Sequence, residues 1–156
     1  MKIISGSVRD TLKIGRTIAK NLRRGDIVCL FGQLGSGKTV LAKGIAAGLG
    51  IKENKVISPS FVLIRQYAQA KIPFYHLDLY RLKKIKDILF LGYEEYLYSD
   101  GITVIEWADK LKYLLPKDYL RIELLIKADK QRLIGFSAFG MHYKDILKNI
   151  YEDIRH

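Results

Sequence analysis

The octapeptide Gly32-Gln33-Leu34-Gly35-Ser36-Gly37-Lys38-Thr39 fits the pattern GxxxxGK[ST] at every fixed position. It follows the apolar run Ile27-Val28-Cys29-Leu30-Phe31 and leads into a segment of helical periodicity. This order constrains the chain to strand, tight loop and helix: the glycines let successive backbone N–H groups turn inward around phosphate oxygens, and the helix that follows adds the positive end of its dipole. In such a loop Lys38 reaches the β- and γ-phosphates of a bound nucleotide and the Thr39 hydroxyl ligates Mg²⁺. The alternative, a Gly-rich turn that binds nothing, does not account for the agreement of both flanks with the motif.

At 156 residues and 49% hydrophobic content, the chain supports one buried core, and we read residues 1–156 as one domain. No run of eighteen apolar residues occurs, and Met1-Lys2-Ile3-Ile4-Ser5-Gly6 lacks the apolar stretch of a secretory signal, so a soluble, cytoplasmic protein is expected. The lone cysteine, Cys29, lies inside the strand before the loop, where it reads as a small core residue; it also excludes an internal disulfide framework. A formal charge of +11 favours polyanionic partners. Arg9, Lys13, Arg16 and Lys20 form a basic stripe along the first helix, either a solvated flank or a contact strip for an acidic partner or RNA.

Hydrophobic spacing predicts a helix over residues 8–22, with Ser7 as N-cap and Val8, Leu12, Gly15, Ala19 and Leu22 on its buried face. After the loop, Leu41, Ala42, Ile45, Ala46 and Leu49 predict a second helix, in which Gly44 and Gly48 permit close approach to the sheet and Gly50 provides the stop. Strands are predicted over 61–67, 74–79 and 102–106, and a helix of uneven quality from Asp87, interrupted near Gly92. A short helical stretch closes at Pro116, a hairpin joins 119–127 to 131–138 through Asp129-Lys130, and a terminal helix carries Tyr143, Ile146, Leu147, Ile150 and Ile154. Strands interleaved with helices around an early phosphate loop indicate an α/β fold, a mixed sheet flanked by helices in the manner of P-loop NTPases.

A phosphate loop alone holds Mg²⁺ incompletely, so an acid at a strand end is wanted. Asp78 and Glu106 are the candidates; the cleaner apolar strand before Glu106 makes it the preferred metal acid, the alternative for either being a turn-capping residue. Ser58 and Ser60 flank Pro59 where nucleotide-binding proteins often place a γ-phosphate sensor, although a plain Ser-Pro turn would look the same. His76 alternates with apolar neighbours and reads as a sheet residue rather than a base. Trp107, beside Glu106, is either core or a packing surface for nucleotide or partner.

In this order, the loop together with Ser58-Pro59-Ser60-Phe61, Tyr75-His76-Leu77-Asp78-Leu79-Tyr80-Arg81-Leu82, Gly92-Tyr93 and Val104-Ile105-Glu106-Trp107 resembles the TsaE family, also called YjeE. These are small bacterial ATPases required to form threonylcarbamoyladenosine at position 37 of tRNAs. The likeness covers about residues 7 to 138, leaving the terminal helix, 141–156, outside. It implies that Leu34, Gly35, Ser36, Gly37, Lys38 and Thr39 bind ATP, and that Thr39 and Glu106 hold Mg²⁺. It further implies that Lys38, Asp78 and Glu106 serve catalysis, that Ser60 belongs to a switch-like segment, and that Thr11 and Arg132 border the nucleotide. The implied partners are TsaD and TsaB of the threonylcarbamoyl-transferase complex, with tRNA contact through the basic surface. Members usually carry Asp or Glu where this chain has Gln33, and an amide orients water but does not accept a proton as a carboxylate does. A small-molecule kinase, or a nucleotide-gated binding module with negligible turnover, are the competing readings.

Overall fold

The computed structural model describes residues 1–59, 61–68 and 70–156. In chain order, the described residues form β1 Lys2–Ser5, α1 Val8–Asn21, β2 Ile27–Phe31, α2 Lys38–Gly48, β3 Ile64–Tyr67, β4 Phe74–Asp78, α3 Ile85–Phe90, α4 Tyr93–Leu97, β5 Ile102–Glu106, β6 Tyr119–Ile126, β7 Arg132–Phe139 and α5 Met141–Arg155. Short 3₁₀ segments lie at Glu53–Lys55 and Ala108–Leu114. The strands make one seven-stranded sheet in the order β1-β7-β6-β2-β5-β4-β3. Its centre is parallel, β2 pairing with β5 and β6 and β4 with β5, and antiparallel strands close both edges. This is the expected α/β fold with a mixed sheet. The all-buried β2 and β5 explain why their sequences are continuous apolar runs rather than alternating ones.

Two cores lie on opposite faces of the sheet. One gathers Ile14, Ile18, Leu41, Ile45, Val104 and Ile122 beneath α1, α2 and α5; the other gathers Cys29, Leu77, Ile88, Leu97, Ile105 and Leu111. Cys29 is a core residue, as expected, and burial pushes its thiol pKa up. The buried Asp26 precedes β2, with its carboxylate 2.7 Å from His142 Nε2 and accepting from Arg23 N–H; the Tyr143 hydroxyl accepts from Ile27 N–H. Those contacts fasten α5 to the start of the central strand.

Several boundaries and faces differ from expectation. β1 was not foreseen: it is four residues long and exists through pairing with β7, more than a hundred residues away in sequence. On α1 the buried residues are Thr11, Ile14, Gly15, Ile18 and Ala19, while Val8 is exposed, so the face is rotated from the one predicted. Gly15, common to the predicted and observed faces, meets α2. A Cβ on Gly15 would lie 2.7 Å from Gly44 Cα, one on Gly44 would lie 2.5 Å from Leu12 O, and one on Gly48 would lie 2.5 Å from Ala19 Cβ. Gly44 and Gly48 therefore permit close approach to α1, not to the sheet. β3 starts at Ile64 rather than residue 61, because Leu63 has φ 67° and the N–H groups of Val62 and Leu63 turn back onto Pro59 O. The hairpin, the break between α3 and α4 at Gly92 (φ 69°) and α5 all form as expected.

Candidate functional site

The carboxyl ends of β2, β4 and β5 lie side by side, and the parallel register sets Asp78 opposite Glu106 and Glu106 opposite Leu30. In an open α/β sheet this edge is where ligands gather. The loop between β2 and α2 bends through Gly32 (φ 143°), Gly35 (φ 75°) and Gly37 (φ 102°), conformations that only glycine adopts without strain. A cleft of about 460 Å³ opens there, lined by Leu34, Gly35, Gly37, Lys38, Thr39, Val40, Phe61, Asp78, Tyr80, Arg81, Glu106 and Trp107.

The loop lysine and the two acids meet in this cleft. Lys38 Nζ donates to Gly32 O at 2.6 Å and Gln33 O at 2.9 Å, and sits 3.9 Å from the centroid of the Trp107 ring. Burial lowers the Lys38 pKa, opposed by the carboxylates of Glu106, Asp78 and Asp109. The Thr39 hydroxyl donates to Glu106 Oε2 at 2.9 Å, and Glu106 Oε1 lies 2.7 Å from His76 Nε2. Asp78 Oδ1 accepts from Tyr80 N–H, fixing the turn that leaves β4.

The residues expected to border a nucleotide fall around a second cleft of about 410 Å³, which shares Gly35, Gly37 and Val40 with the first and is lined also by Ser7, Val8, Thr11, Asp129, Lys130 and Arg132. Thr11 is buried, its hydroxyl 2.7 Å from Ser5 Oγ. The Arg132 guanidinium donates to Ser36 O and Gly35 O, so the hairpin braces the phosphate loop from outside. Ser36 is itself buried, with its Oγ 3.4 Å from Lys38 Nζ. Gln33 is exposed and is not among the described residues lining either cleft. Ser60 lies outside the described residues; of its neighbours, Pro59 is buried and Ser58 partly so.

Sequence reasoning left His76 out of the site, and it underrated Tyr80, Arg81 and Phe61. A signal for the first existed: His76 stands two residues before Asp78, so strand periodicity puts both on one face. Phe61 is 82% exposed, with the Arg81 guanidinium 4.3 Å from its ring centroid, and no periodicity marks such a residue as part of a cleft. Trp107 (φ 57°) is half-buried and packs on Tyr80 at 4.9 Å between centroids, so it forms a wall of the cleft while its inner side packs against the second core.

The donors at the cleft suit a small hard cation. Thr39 Oγ1, Glu106 and Asp78 offer oxygen only, and two carboxylates with a hydroxyl leave room for the waters and phosphate oxygens that Mg²⁺ keeps. Sheet order, glycine loop and paired strand-end acids together define an α/β protein of the phosphate-loop class. The family model described as threonylcarbamoyl adenosine biosynthesis protein TsaE matches residues 5–134, and the chain belongs to this family. Among its relatives, the tRNA threonylcarbamoyladenosine biosynthesis protein TsaE of Treponema pallidum is 38% identical over 134 residues, spanning 86% of this chain and 98% of that protein. That of Bacillus subtilis is 36% identical over 141 residues, spanning 90% and 87%. The crystal structure of Bacillus subtilis YdiB matches with a TM-score of 0.85 at 31% identity, over 98% of this chain and 95% of that one. No described helix is long and apolar enough to cross a membrane.

Proposed function

We propose that this chain is a Mg²⁺-dependent ATPase acting in the formation of threonylcarbamoyladenosine on tRNA, and that ATP binding and hydrolysis drive or reset the transferase complex of TsaD and TsaB. The observation that carries the reading is the contact of Thr39 Oγ1 with Glu106 Oε2 at 2.9 Å, at the foot of a glycine loop and beside Asp78. The names of the relatives supply the pathway, and the fold and donor set support the chemistry.

In this reading the backbone N–H groups from Gly35 to Thr39 cradle the phosphates, with Ser60 and the cleft around Thr11 and Arg132 bordering the nucleotide. Lys38 exchanges its loop carbonyls for β- and γ-phosphate oxygens, and its charge offsets what develops as the terminal bond breaks. Thr39 and Glu106 would hold Mg²⁺, whose positive charge would supply neutralisation of the phosphate groups. Asp78 stands on the same sheet edge and orients the attacking water. Gln33 supplies no carboxylate, so hydrolysis by the isolated chain is slow and is raised by partners. The exposed amide of Gln33 also favours a second reading, a nucleotide-gated binding module with negligible turnover.

Single-turnover hydrolysis of ATP, measured alone and with TsaD and TsaB, separates these. Phosphate release stimulated by the partners supports the ATPase. Tight binding without hydrolysis in either setting supports the gated module, and phosphate transfer to a small acceptor would make the protein a kinase.

A further inference from the structure

His76 is a fully buried imidazole in the middle of β4, with its Nε2 2.7 Å from Glu106 Oε1 and its Nδ1 enclosed without a hydrogen-bond partner among the described residues. That asymmetry identifies the tautomer. An unprotonated Nε2 would set its lone pair against a carboxylate oxygen at 2.7 Å and leave the ring's one N–H at Nδ1 with no acceptor, whereas a proton on Nε2 is donated directly to the carboxylate. The proton therefore sits on Nε2 and is donated to Glu106. An imidazolium would strand a second N–H at Nδ1.

Glu106 thus receives a donor on each oxygen, His76 N–H on Oε1 and Thr39 O–H on Oε2. With Glu106 only 2% exposed, few other donors reach it, and these two fix the carboxylate plane. The strands set the distance: in the β4–β5 register His76 faces Val104, two residues before Glu106, so the contact is the diagonal reach of an imidazole across a parallel pair. Phe74 precedes it on the same face, its ring centroid 6.1 Å from that of His76, and limits how the imidazole can tilt.

We propose that His76 is a positioning residue for the divalent-cation site: by occupying Oε1 it leaves Oε2 as the oxygen presented beside Thr39 to the ion. The inference rests on the Mg²⁺ reading given above. Donors that orient a ligating carboxylate raise metal affinity about 10- to 100-fold in well-studied sites.

The test compares His76→Gln, whose amide N–H takes the place of Nε2–H, with His76→Asn, whose shorter amide reaches only the Nδ1 position, and with His76→Leu. ADP binding is titrated by calorimetry at increasing Mg²⁺, with the metal-free affinity and the urea midpoint measured alongside. In the Asn and Leu variants, the Mg²⁺ concentration for half-maximal enhancement of ADP binding should rise about tenfold or more, with metal-free ADP affinity unchanged and most of the loss recovered in the Gln variant. A wild-type protein that responds to Mg²⁺ while the Asn variant responds identically overturns the proposal, as does equal impairment of the Gln and Asn variants. If ADP binding to the wild type ignores Mg²⁺ altogether, the cation reading itself fails and takes this inference with it. Should the Leu variant not fold, the Gln and Asn pair, alike in polarity, still decides.

Discussion

Lys38 Nζ lies 3.9 Å from the centre of the Trp107 ring while it donates to the carbonyls of Gly32 and Gln33. The loop lysine is thus held against its own loop by hydrogen bonds on one side and an aromatic face on the other. Nucleotide phosphates would compete for the ammonium and draw it off the ring. Because Trp107 is the chain's single tryptophan, its fluorescence should change in step with ADP binding measured by calorimetry. A flat emission signal through a complete binding isotherm would show that lysine and indole stay as they are.

The crossing of α1 and α2 depends on the missing side chains of Gly15 and Gly44. Gly44→Ala would bring its methyl within 2.5 Å of Leu12 O, a backbone atom that cannot turn aside. Forced overpacking of this kind costs about 1–3 kcal/mol, and the better helix propensity of alanine, worth about 1 kcal/mol, offsets only part of it. Urea unfolding should therefore show a lower midpoint for Gly44→Ala. A stabilised variant would mean that the two helices separate more easily than the packing suggests.

Tyr143 couples α5 to the central strand through the Ile27 N–H, which it accepts at 2.8 Å. Tyr143→Phe leaves that buried N–H unpaired, at a cost of about 1–3 kcal/mol. Burial also raises the phenol pKa from 10.0 to about 12. A group whose folded pKa is raised contributes stability that is complete below its unfolded pKa and lost as pH climbs through the folded one. The stability gap between wild type and Tyr143→Phe should therefore be constant below pH 10 and narrow between 10 and about 12. A gap that stays level across that window would place the phenol in a wetter setting.

The stripe of Arg9, Lys13, Arg16 and Lys20 is exposed along α1, with Arg16 paired to Glu53. If it meets tRNA, neutralising all four should weaken tRNA binding and lower the slope of its salt dependence by about 0.7–0.9 for every phosphate that the stripe neutralises. ATP hydrolysis should be preserved, since none of the four lines either of the two clefts described above. Unchanged tRNA binding would make the stripe a solvated flank.

What was legible in the sequence follows from what is local. The phosphate loop, α1, β2, β5 and the β6–β7 hairpin carry their signals within single continuous stretches of sequence, and each forms where expected. Asp78 and Glu106 were readable as strand-end acids but looked like rivals; the β4–β5 register makes them direct neighbours. That register depends on which strands adjoin, and sequence does not state it, so the link from His76 to Glu106 was hidden. β1 escaped for the same reason, since Ile3 and Ile4 gain strand partners only from β7. Helical spacing marked Gly44 and Gly48 as special without revealing that α1 was the surface approaching them.

The most direct measurement for the central claim is ATP hydrolysis against Mg²⁺ concentration for the wild type and Glu106→Ala, each assayed with the partner proteins. Hydrolysis by the wild type should require Mg²⁺, and Glu106→Ala should need far more of the ion and turn over about 10²-fold or more slowly, in line with the loss of a transition-state electrostatic group. Lys38→Ala should be inactive. Normal Mg²⁺-dependent turnover in Glu106→Ala would contradict the account, because the contact between Thr39 and Glu106 would then not be the ion's site.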